Sequence, residues 1–294
     1  MRVLIVGCGY VGVQLGAELV RLGHDVFGLR RSIVAEGELK SAGIQPLIGD
    51  VTQSETLAKL PHDFDWVVNC IATGGNSENY RNIYLQGTRN LIEWLAPHLP
   101  NKFVYTSSTS VYAQNDGSQI KESSPVEPLA ETAKILVETE KVLLSAVAER
   151  NFPAVILRVA GIYGPDRGHW FKQFLKDAAH IEGDGARFLN MIHRDDLVGC
   201  IIAALKSGRA GEIYNAADDE PVSQMHFFQW LAHAVDKPIP PSEPENPDAV
   251  RKRGVTNKRV SNRKLKMELG HQFKHPNFRT GYSAELLRLD RAGK

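Results

Sequence analysis

The most constraining feature of the chain is its opening, where the short apolar run Arg2–Val6 leads directly into glycines at positions 7, 9 and 12. Where a buried strand turns into a helix, the first glycine of this G-x-G-x-x-G spacing permits the tight turn. The second lets the backbone approach a pyrophosphate, and the third lets helix and strand pack closely. The free N–H groups at the start of the helix attract phosphate. The opening therefore predicts a dinucleotide-binding βαβ unit; the alternative is a glycine-rich turn in another kind of α/β protein.

Short, continuous apolar runs alternate with amphipathic stretches through the first half of the chain. Continuous apolar runs are typical of parallel strands covered on both faces, and strand–helix alternation favours right-handed crossovers. Strands are predicted over Arg2–Val6, Asp25–Leu29, Ile44–Ile48, Trp66–Ile71, Phe103–Thr106 and Val155–Leu157. Helices are predicted over Val11–Leu22, Glu55–Lys59, Asn79–Ala96 and Glu131–Arg150. The pattern indicates an α/β fold with a doubly wound parallel Rossmann sheet.

The pattern changes after Gly164 and Pro165, where helical stretches dominate and strands become rarer. The helices predicted here are Phe171–Ala179, Asp195–Lys206 and Gln224–Val235. The run Glu212–Asn215 is predicted to be a strand that rejoins the sheet. The expected organisation is an NAD(P)-binding Rossmann domain over residues 1–165 and a smaller, mainly helical substrate-binding part over residues 166–294.

Composition limits the remaining function classes. Lysine and arginine number 35 against 34 acids, so the formal net charge is +1, which argues against a strongly basic nucleic-acid binder. No apolar run approaches the ~18 residues of a membrane span. The three cysteines, Cys8, Cys70 and Cys200, form no C-x-x-C pair and sit among small or apolar residues. They predict buried thiols in a reducing compartment, hence the cytoplasm, and no zinc or other metal site.

The residues after the second strand bear on the choice of dinucleotide. NAD-binding domains carry an acid here, ~20 residues beyond the glycines, that bonds the ribose 2′-hydroxyl. This chain has Arg30, Arg31 and Ser32 instead. Because arginine binds phosphate through a bidentate fork, the pair predicts NADP rather than NAD, and the alternative is two solvated surface arginines. After the third strand, Asp50 and Val51 are candidates to contact the adenine, unless Asp50 caps the next helix.

Several further motifs follow one another in a fixed order. They are Gly7–Gly12, Gly49–Val51, Gly87–Leu91, Thr106–Tyr112, Leu157–Pro165, Ile192–Leu197 and Gly211–Asn215. In this order the chain resembles the extended short-chain dehydrogenase/reductases, the NAD-dependent epimerase/dehydratase family, over nearly its whole length. The resemblance implies a Rossmann domain, a smaller C-terminal substrate domain and an active site in the cleft between them. In many members the helices that match Asn79–Ala96 and Glu131–Arg150 form the seam of a homodimer, so a homodimer is one expected state.

The same resemblance implies roles for single residues. Ser108 matches the catalytic Ser/Thr that bonds a substrate oxygen, although its hydroxyl could instead satisfy a backbone group at the strand end. Lys134 matches the lysine of Y-x-x-x-K, because Glu138 follows it at the family's usual distance. This lysine holds the nicotinamide ribose in the family, and a solvated helix lysine is the alternative. The predicted cofactor-binding set is Gly7, Gly9, Tyr10, Val11, Gly12, Arg30, Arg31, Asp50, Val51, Ala72, Thr73, Lys134, Val159 and Ile162.

The chain departs from the family at the tyrosine of Y-x-x-x-K, which is the usual acid/base. Position 130 is Ala130, and the segment around it is about two residues short of the family's spacing, so no proton donor stands where carbonyl reduction needs one. Tyr112 and Tyr163, and more weakly Glu131, are candidate replacements. Each also has a structural interpretation: the tyrosines as packing residues, and Glu131 as a carboxylate in the first turn of a helix.

Two charged features remain. His193 could act as a base, but it is interpreted as a structural residue, with Asp195 as the cap of the following helix. The stretch Arg251–Lys266 holds eight basic residues and no acid. It is a solvated basic loop, a docking site for an anionic and nucleotide-linked substrate, or a nucleic-acid patch. The near-zero net charge and the lack of aromatic residues within the stretch argue against the last of these.

Three functions remain open. The favoured one is redox chemistry on a small or nucleotide-linked carbonyl or alcohol with NADP as cofactor, in which Ser108 polarises the oxygen, Lys134 holds the ribose and a non-standard group donates the proton. Ala130 favours the second, a non-catalytic NADP-binding sensor or scaffold. The third is nucleotide-sugar epimerisation or dehydration, the commonest use of the family, which also depends on the missing tyrosine. The expected partner is a small molecule, with no nucleic acid and no membrane.

Overall fold

The computed structural model describes residues 1–32, 34, 36–73, 76–244 and 256–292. The strands are β1 (Arg2–Val6), β2 (Asp25–Arg30), β3 (Gln45–Ile48), β4 (Trp66–Asn69), β5 (Lys102–Ser108), β6 (Gln119–Ile120), β7 (Ala154–Val159), β8 (Gly161–Tyr163), β9 (Ile181–Glu182), β10 (Phe188–Leu189), β11 (Met191–His193), β12 (Ile213–Ala216), β13 (Val222–Ser223), β14 (Ser242–Glu243) and β15 (Arg259–Val260).

The helices are α1 (Tyr10–Arg21), α2 (Glu36–Ser41), α3 (Ser54–Leu57), α4 (Ser77–Tyr80), α5 (Gly87–Leu95), α6 (Glu131–Arg150), α7 (His169–Leu175), α8 (Arg194–Ser207), α9 (Gln224–Ala234), α10 (Arg263–Leu269) and α11 (Phe278–Ala292). A π-helical turn, Arg81–Gln86, joins α4 to α5, and a 3-10 turn, Thr109–Val111, follows β5. None of the helices in the described ranges is both long enough and apolar enough to cross a bilayer.

Seven strands form one sheet in the order β3-β2-β1-β4-β5-β7-β12, and every neighbouring pair is parallel. All residues of β4 and β7 are buried, which explains their continuous apolar sequences. The α/β fold with a doubly wound sheet is therefore confirmed. The strand order reverses between β1 and β4, and ligands of such sheets bind outside the carboxyl ends of the strands at this point.

Several predicted boundaries shift for reasons of pairing. β1 and α6 have the predicted bounds. The fourth strand ends at Asn69 rather than Ile71, because the backbone of Ile71 crosses over Gly7. β5 runs to Ser108, two residues beyond its predicted end, since its ladder with β7 continues to the pair Ser108 and Val159. The short helix α2 was not predicted, because one buried residue, Leu39, gives no helical period.

Within the described ranges, the short strands β6, β8–β11 and β13–β15 form four two-stranded sheets, which the sequence patterns did not predict. Elements of two or three residues are too short to show a hydrophobic period. β12 pairs with β7 at the edge of the main sheet. A hydrophobic cluster separate from the one around the main sheet is rich in aromatic residues, and it includes Tyr163, Phe171, Phe174, Phe227, Phe228, Phe278 and Tyr282. The division into parts 1–165 and 166–294 stays a prediction.

Candidate active site

The turn between β1 and α1 holds the glycine backbone against the end of β4. Gly7 has a φ of +86°, and a Cβ there would lie 2.6 Å from the Cα of Ile71, so only glycine allows this approach. A Cβ at Gly12 would lie 2.9 Å from the Gly7 carbonyl oxygen and 3.1 Å from Cγ2 of Ile5, because α1 packs directly on β1. Gly9 instead faces open space, with no heavy atom within 4 Å of the place a Cβ would take.

Three cavities follow one another along the carboxyl ends of the strands. The β2 cavity, about 560 Å³, lies beside Arg30, Arg31 and Asp50. The β4 cavity, about 310 Å³, lies beside α1 and shares Gly9 and Ala72 with the β2 cavity. The large cavity, about 950 Å³, lies beyond β5. Together they extend from the glycine turn to the hydrophobic cluster that is rich in aromatic residues.

Two arginines at the end of β2 have different surroundings. Arg30 donates from Nε to the Cys8 carbonyl, and its Nη2 lies 3.3 Å from a carboxylate oxygen of Glu38, which also lines the β2 cavity. Arg31 is exposed and, among the described residues, forms neither a hydrogen bond nor an ion pair. Ser32 lines the same cavity. Arg31 is therefore the cation that a ligand would meet first, and Arg30 is partly neutralised.

Asp50 and Val51 both line the β2 cavity, as the adenine prediction requires. Oδ1 of Asp50 accepts hydrogen bonds from the backbone N and the Oγ1 of Thr52, at 2.9 and 2.8 Å. Asp50 does not cap α3, because the residue at the N-cap is Gln53. The Val51 side chain packs on Gly87 at the start of α5, where a Cβ would lie 2.8 Å away from its Cγ2.

Ser108 lies where the β4 cavity and the large cavity meet, and Val159 and Ile162 line both cavities with it. The Oγ of Ser108 accepts a hydrogen bond from the backbone N of Ser110 at 3.2 Å, so it caps the 3-10 turn after β5. The Ser108 hydroxyl therefore satisfies a backbone N–H group at the strand end, and its role towards a ligand stays a prediction. Thr73 is not among the described residues that line the three cavities, and its backbone N donates to the Tyr84 hydroxyl.

Helix α6 presents Leu136, not Lys134, to the β4 cavity. The Lys134 side chain is 48% exposed, and its Nζ pairs with Oε1 of Glu131 at 2.7 Å. Leu136 is 4% exposed. The structure therefore does not bring Lys134 to the cavities, and Glu131 is committed to the same surface pair.

Two of the four glutamates of α6, Glu138 and Glu140, explain the difference. Glu138 is a surface acid that pairs with Arg81. Glu140 is 2% exposed; it accepts from Arg158 at 2.7 Å and from the Ser107 hydroxyl at 2.6 Å. Both acids fit the spacing of the resemblance, and only burial separates them.

Counting back from the buried acid places the lysine of Y-x-x-x-K at Leu136 and its tyrosine at Thr132. This register also accounts for the two missing residues before the motif. Thr132 is 7% exposed. In this register, neither the tyrosine nor the lysine of the motif is present.

The two candidate tyrosines are buried and engaged. The Tyr112 hydroxyl donates to Oδ1 of Asn215 at 2.8 Å and accepts from Arg158 at 2.9 Å. The Tyr163 hydroxyl donates to the Asn277 carbonyl at 3.4 Å, and burial raises the pKa of Tyr163 above its ordinary value. Tyr112 therefore packs as a structural residue, and Tyr163 contributes to the large cavity as a wall.

His193, not Asp195, caps α8, because Nδ1 of His193 accepts from the backbone N of Asp195. The interpretation of Asp195 as the cap is wrong; its carboxylate pairs with the neighbouring arginine instead.

Asp196 is fully buried and accepts from the backbone N of Lys274 and of His275. One nitrogen of His193, one nitrogen of His275 and one carboxylate oxygen of Asp196 lie within 4.8 Å of one another. No local sequence motif predicts this cluster. Burial and the nearby His275 lower the pKa of His193 to about 4.

The basic stretch is not one surface. Lys264 pairs with Glu212 at 2.6 Å, and Lys266 pairs with Asp219 at 2.9 Å. Lys258 is buried and lines the large cavity, opposite in character to a solvated loop residue. Arg251, Lys252 and Arg253 lie outside the described residues.

The glycine turn and the parallel sheet have a counterpart among known proteins. The family model described as "NAD dependent epimerase/dehydratase family" matches residues 3–217 of the chain. The chain belongs to this family. It is an extended short-chain dehydrogenase/reductase.

Relatives match the chain over nearly its whole length. The chain is 26% identical over 286 residues to Protein YeeZ of Escherichia coli, covering 94% of this chain and 97% of that protein. A structure described as a functionally unknown conserved protein from Silicibacter pomeroyi DSS is 26% identical, with a TM-score of 0.82 and 98% of both chains covered. DesIV of Streptomyces venezuelae, a dTDP-glucose 4,6-dehydratase solved with NAD and TYD, is 21% identical, with a TM-score of 0.83 and coverage of 97% and 95%.

The residues of the turn fit the dinucleotide that the family binds. Gly9 occupies the N-cap of α1 and supplies no side-chain acceptor, so the first N–H groups of the helix stay available for phosphate. The open space beside Gly9 leaves room for a pyrophosphate at backbone distance. Ala72 and Val51 add small or apolar walls on either side.

Proposed function

We propose that the chain is an NADP-preferring oxidoreductase that acts on a small or nucleotide-linked carbonyl or alcohol. The observation that carries this proposal is the position of Ser108, which lines both the β4 cavity beside the glycine turn and the large cavity. When bound, the nicotinamide cofactor supplies or accepts hydride. The Ser108 hydroxyl then bonds the substrate oxygen, and Leu136, Val159 and Ile162 keep water from the reacting atoms.

NADP is preferred because the end of β2 carries Arg31 where an NAD domain carries an acid. Arg31 can form a charge-assisted hydrogen bond with a 2′-phosphate. Glu38 works against this preference, because its carboxylate faces the same cavity and draws Arg30 away.

Changing Arg31 to alanine is expected to weaken NADPH binding about 10- to 100-fold, since a hydrogen bond to a charged group contributes ~1.5–3 kcal/mol, and to leave NADH binding unchanged. Glu38→Gln is expected to strengthen NADPH binding several-fold, because it frees Arg30. Dissociation constants from nicotinamide fluorescence measure both effects, with Arg21→Ala on the far end of α1 as the control. An unchanged NADPH-to-NADH ratio in Arg31→Ala would show that the 2′-phosphate does not meet this arginine.

A nucleotide-linked substrate is supported by two features. The related DesIV is named a dTDP-glucose 4,6-dehydratase. The large cavity has room for such a molecule, and Trp170 and Phe188 on its wall offer rings for stacking. We would screen NADPH oxidation with aldehydes, ketones and quinones, and NADP reduction with dTDP-glucose and simple alcohols.

The Ser108 proposal has its own test on whichever compound turns over. Ser108→Ala is expected to lower kcat about 100-fold, as loss of one oxygen-binding donor does, and to change the NADPH dissociation constant less than two-fold. Ser54→Ala, an exposed serine at the start of α3, is the control. A Ser108→Ala variant with unchanged kcat would remove Ser108 from the reaction.

One observation favours a second function, a non-catalytic NADP sensor or scaffold. Thr132 and Leu136 stand where the resemblance places the acid/base and its lysine, so the usual catalytic pair is missing. This alternative predicts tight NADPH binding with no turnover of any compound in the screen.

A further inference from the structure

Lys258 is a buried cation that has no acidic partner among the described residues. It is 3% exposed, and its Nζ donates one hydrogen bond, to the Tyr112 carbonyl oxygen at 2.8 Å. Within the described part of the chain no carboxylate lies within ion-pair distance of it. Burying an ammonium group on these terms costs stability, and such groups cluster where proteins do chemistry.

The backbone around Lys258 is held from both sides. Asn257 and Arg259 donate their backbone N–H groups to the carbonyls of Gln114 and Ser118. The Lys258 carbonyl accepts from Nδ2 of Asn190 at 2.9 Å. The side chain therefore starts from a fixed point, and it reaches the wall of the large cavity that Ser108 also lines.

We propose that Lys258 is the proton-transfer residue of the large cavity and replaces the missing tyrosine. This inference rests on the proposed oxidoreductase function and names its acid/base. Ser108 begins, and Tyr112 ends, the short loop after β5, so one loop anchors both the hydroxyl and the amine.

In the reducing direction, the carbonyl carbon takes a hydride from the nicotinamide cofactor, and the oxygen gains the electron pair of the C=O bond. An N–H bond of the Lys258 ammonium group breaks as the O–H bond forms, which leaves a neutral amine and an alcohol. Water reprotonates the amine. In the oxidising direction, the neutral amine takes the hydroxyl proton as the hydride leaves, so charge and atoms balance both ways.

The titration of Lys258 suits both directions. Burial alone lowers the pKa of Lys258 from 10.5 to about 8, close to the pH at which the group must both give and take a proton. The other ionisable groups on the cavity wall are less suited: Glu182 and Arg187 pair with each other at 3.1 Å, and Tyr163 and Tyr282 have pKa values raised by burial. The remaining ionisable group there is the exposed His169.

The test uses the compound that turns over in the screen. Lys258→Met is expected to lower kcat at least ~100-fold while the NADPH dissociation constant changes less than two-fold. Lys258→Arg keeps the charge but holds its proton at all working pH values, so it is expected to lose kcat and keep KM. The limb of the wild-type pH profile near pH 8 is expected to be absent in both variants. Lys59→Met, at an exposed lysine two residues after α3, is the matched control.

The stability of the Lys258→Met variant is a second measurement. A purely structural Lys258 would make the variant less stable than the wild type, whereas the proposed role does not. Because the pKa of Lys258 is lower in the folded than in the unfolded chain, the folded state is penalised while both are protonated, below about pH 8. The penalty disappears as the pH rises from about 8 towards 10.5. Lys258→Met is therefore expected to be at least as stable to urea as the wild type below pH 8, with the advantage shrinking above it.

The outcomes separate the inference from the function. An active wild type whose Lys258→Met variant keeps kcat, or whose Lys258→Arg variant keeps it, overturns the proton-transfer role and leaves the oxidoreductase standing. A Lys258→Met variant that is less stable at pH 7 assigns Lys258 to holding Tyr112 in place, and this also overturns the role. A wild type that binds NADPH and turns over no compound in the screen overturns the inference and the proposed function together.

Discussion

Arg158→Met is expected to lower the free energy of unfolding by about 3–5 kcal/mol, the usual cost of removing one partner of a buried ion pair. Arg158 and Glu140 are 3% and 2% exposed, and the guanidinium donates to both carboxylate oxygens of Glu140. Without Arg158, the Glu140 carboxylate keeps only the hydrogen bond from Ser107. The Tyr112 hydroxyl loses its donor as well.

Urea unfolding of a double-mutant cycle checks this expectation. Glu140→Leu combined with Arg158→Met removes both charges, and apolar replacements of buried pairs are often near neutral, so most of the lost stability is expected to return. Arg150 ends α6, the helix that holds Glu140, and pairs with Glu93 on the surface. Arg150→Met is therefore expected to lower the free energy of unfolding by less than about 1 kcal/mol. A single Arg158→Met effect as small as this control would mean that the pair contributes little.

Gly7→Ala is expected to destabilise the protein by at least about 2 kcal/mol. An L-residue at a φ of +86° is strained by ~1–2 kcal/mol, and the new Cβ would lie 2.6 Å from the Ile71 backbone, which has to move. Since Ile71 and Ala72 line the cavities beside the turn, NADPH binding is expected to weaken together with stability. Thermal unfolding and the NADPH dissociation constant measure the two losses.

Gly9→Ala separates the two effects. Gly9 has a negative φ of −100° and nothing within 4 Å of its Cβ position, so the variant is expected to unfold at the wild-type temperature. Its methyl group would enter the space of the pyrophosphate, and NADPH binding is expected to fall by about 100-fold. Gly37→Ala, on the surface helix α2, controls for the loss of a glycine. Wild-type binding by Gly9→Ala would place the pyrophosphate elsewhere.

Much of the fold follows from local patterns. The strand Arg2–Val6, the glycine turn and the 20-residue helix Glu131–Arg150 were predictable, because burial on both faces, glycine spacing and helical periodicity are written in consecutive residues. The same patterns predicted that the main strands run parallel in a doubly wound sheet. They predicted none of the two-residue strands, whose pairing partners lie far away in the sequence, as Arg259 lies from Gln119.

The candidate site divides in the same way. Gly7, Gly9 and Asp50 line the cleft as their motifs predicted, since those motifs encode local backbone shape. The sequence could not separate Glu138 from Glu140, because only contact with Arg158 makes one of them the buried acid. Counting from Glu140 instead of Glu138 moves the lysine position of the motif by two residues, from Lys134 to Leu136.

Lys258 shows the limit most clearly. In the sequence it is one of eight basic residues in a stretch without acids, and composition predicts a solvated loop. In the structure it is buried beneath Tyr112, 146 residues earlier in the chain. Glycine spacing and periodicity determined where the cofactor cleft would form, because both act between neighbours. Which charges are buried in that cleft was decided by the tertiary structure, because desolvation depends on the distant segments that close around a side chain.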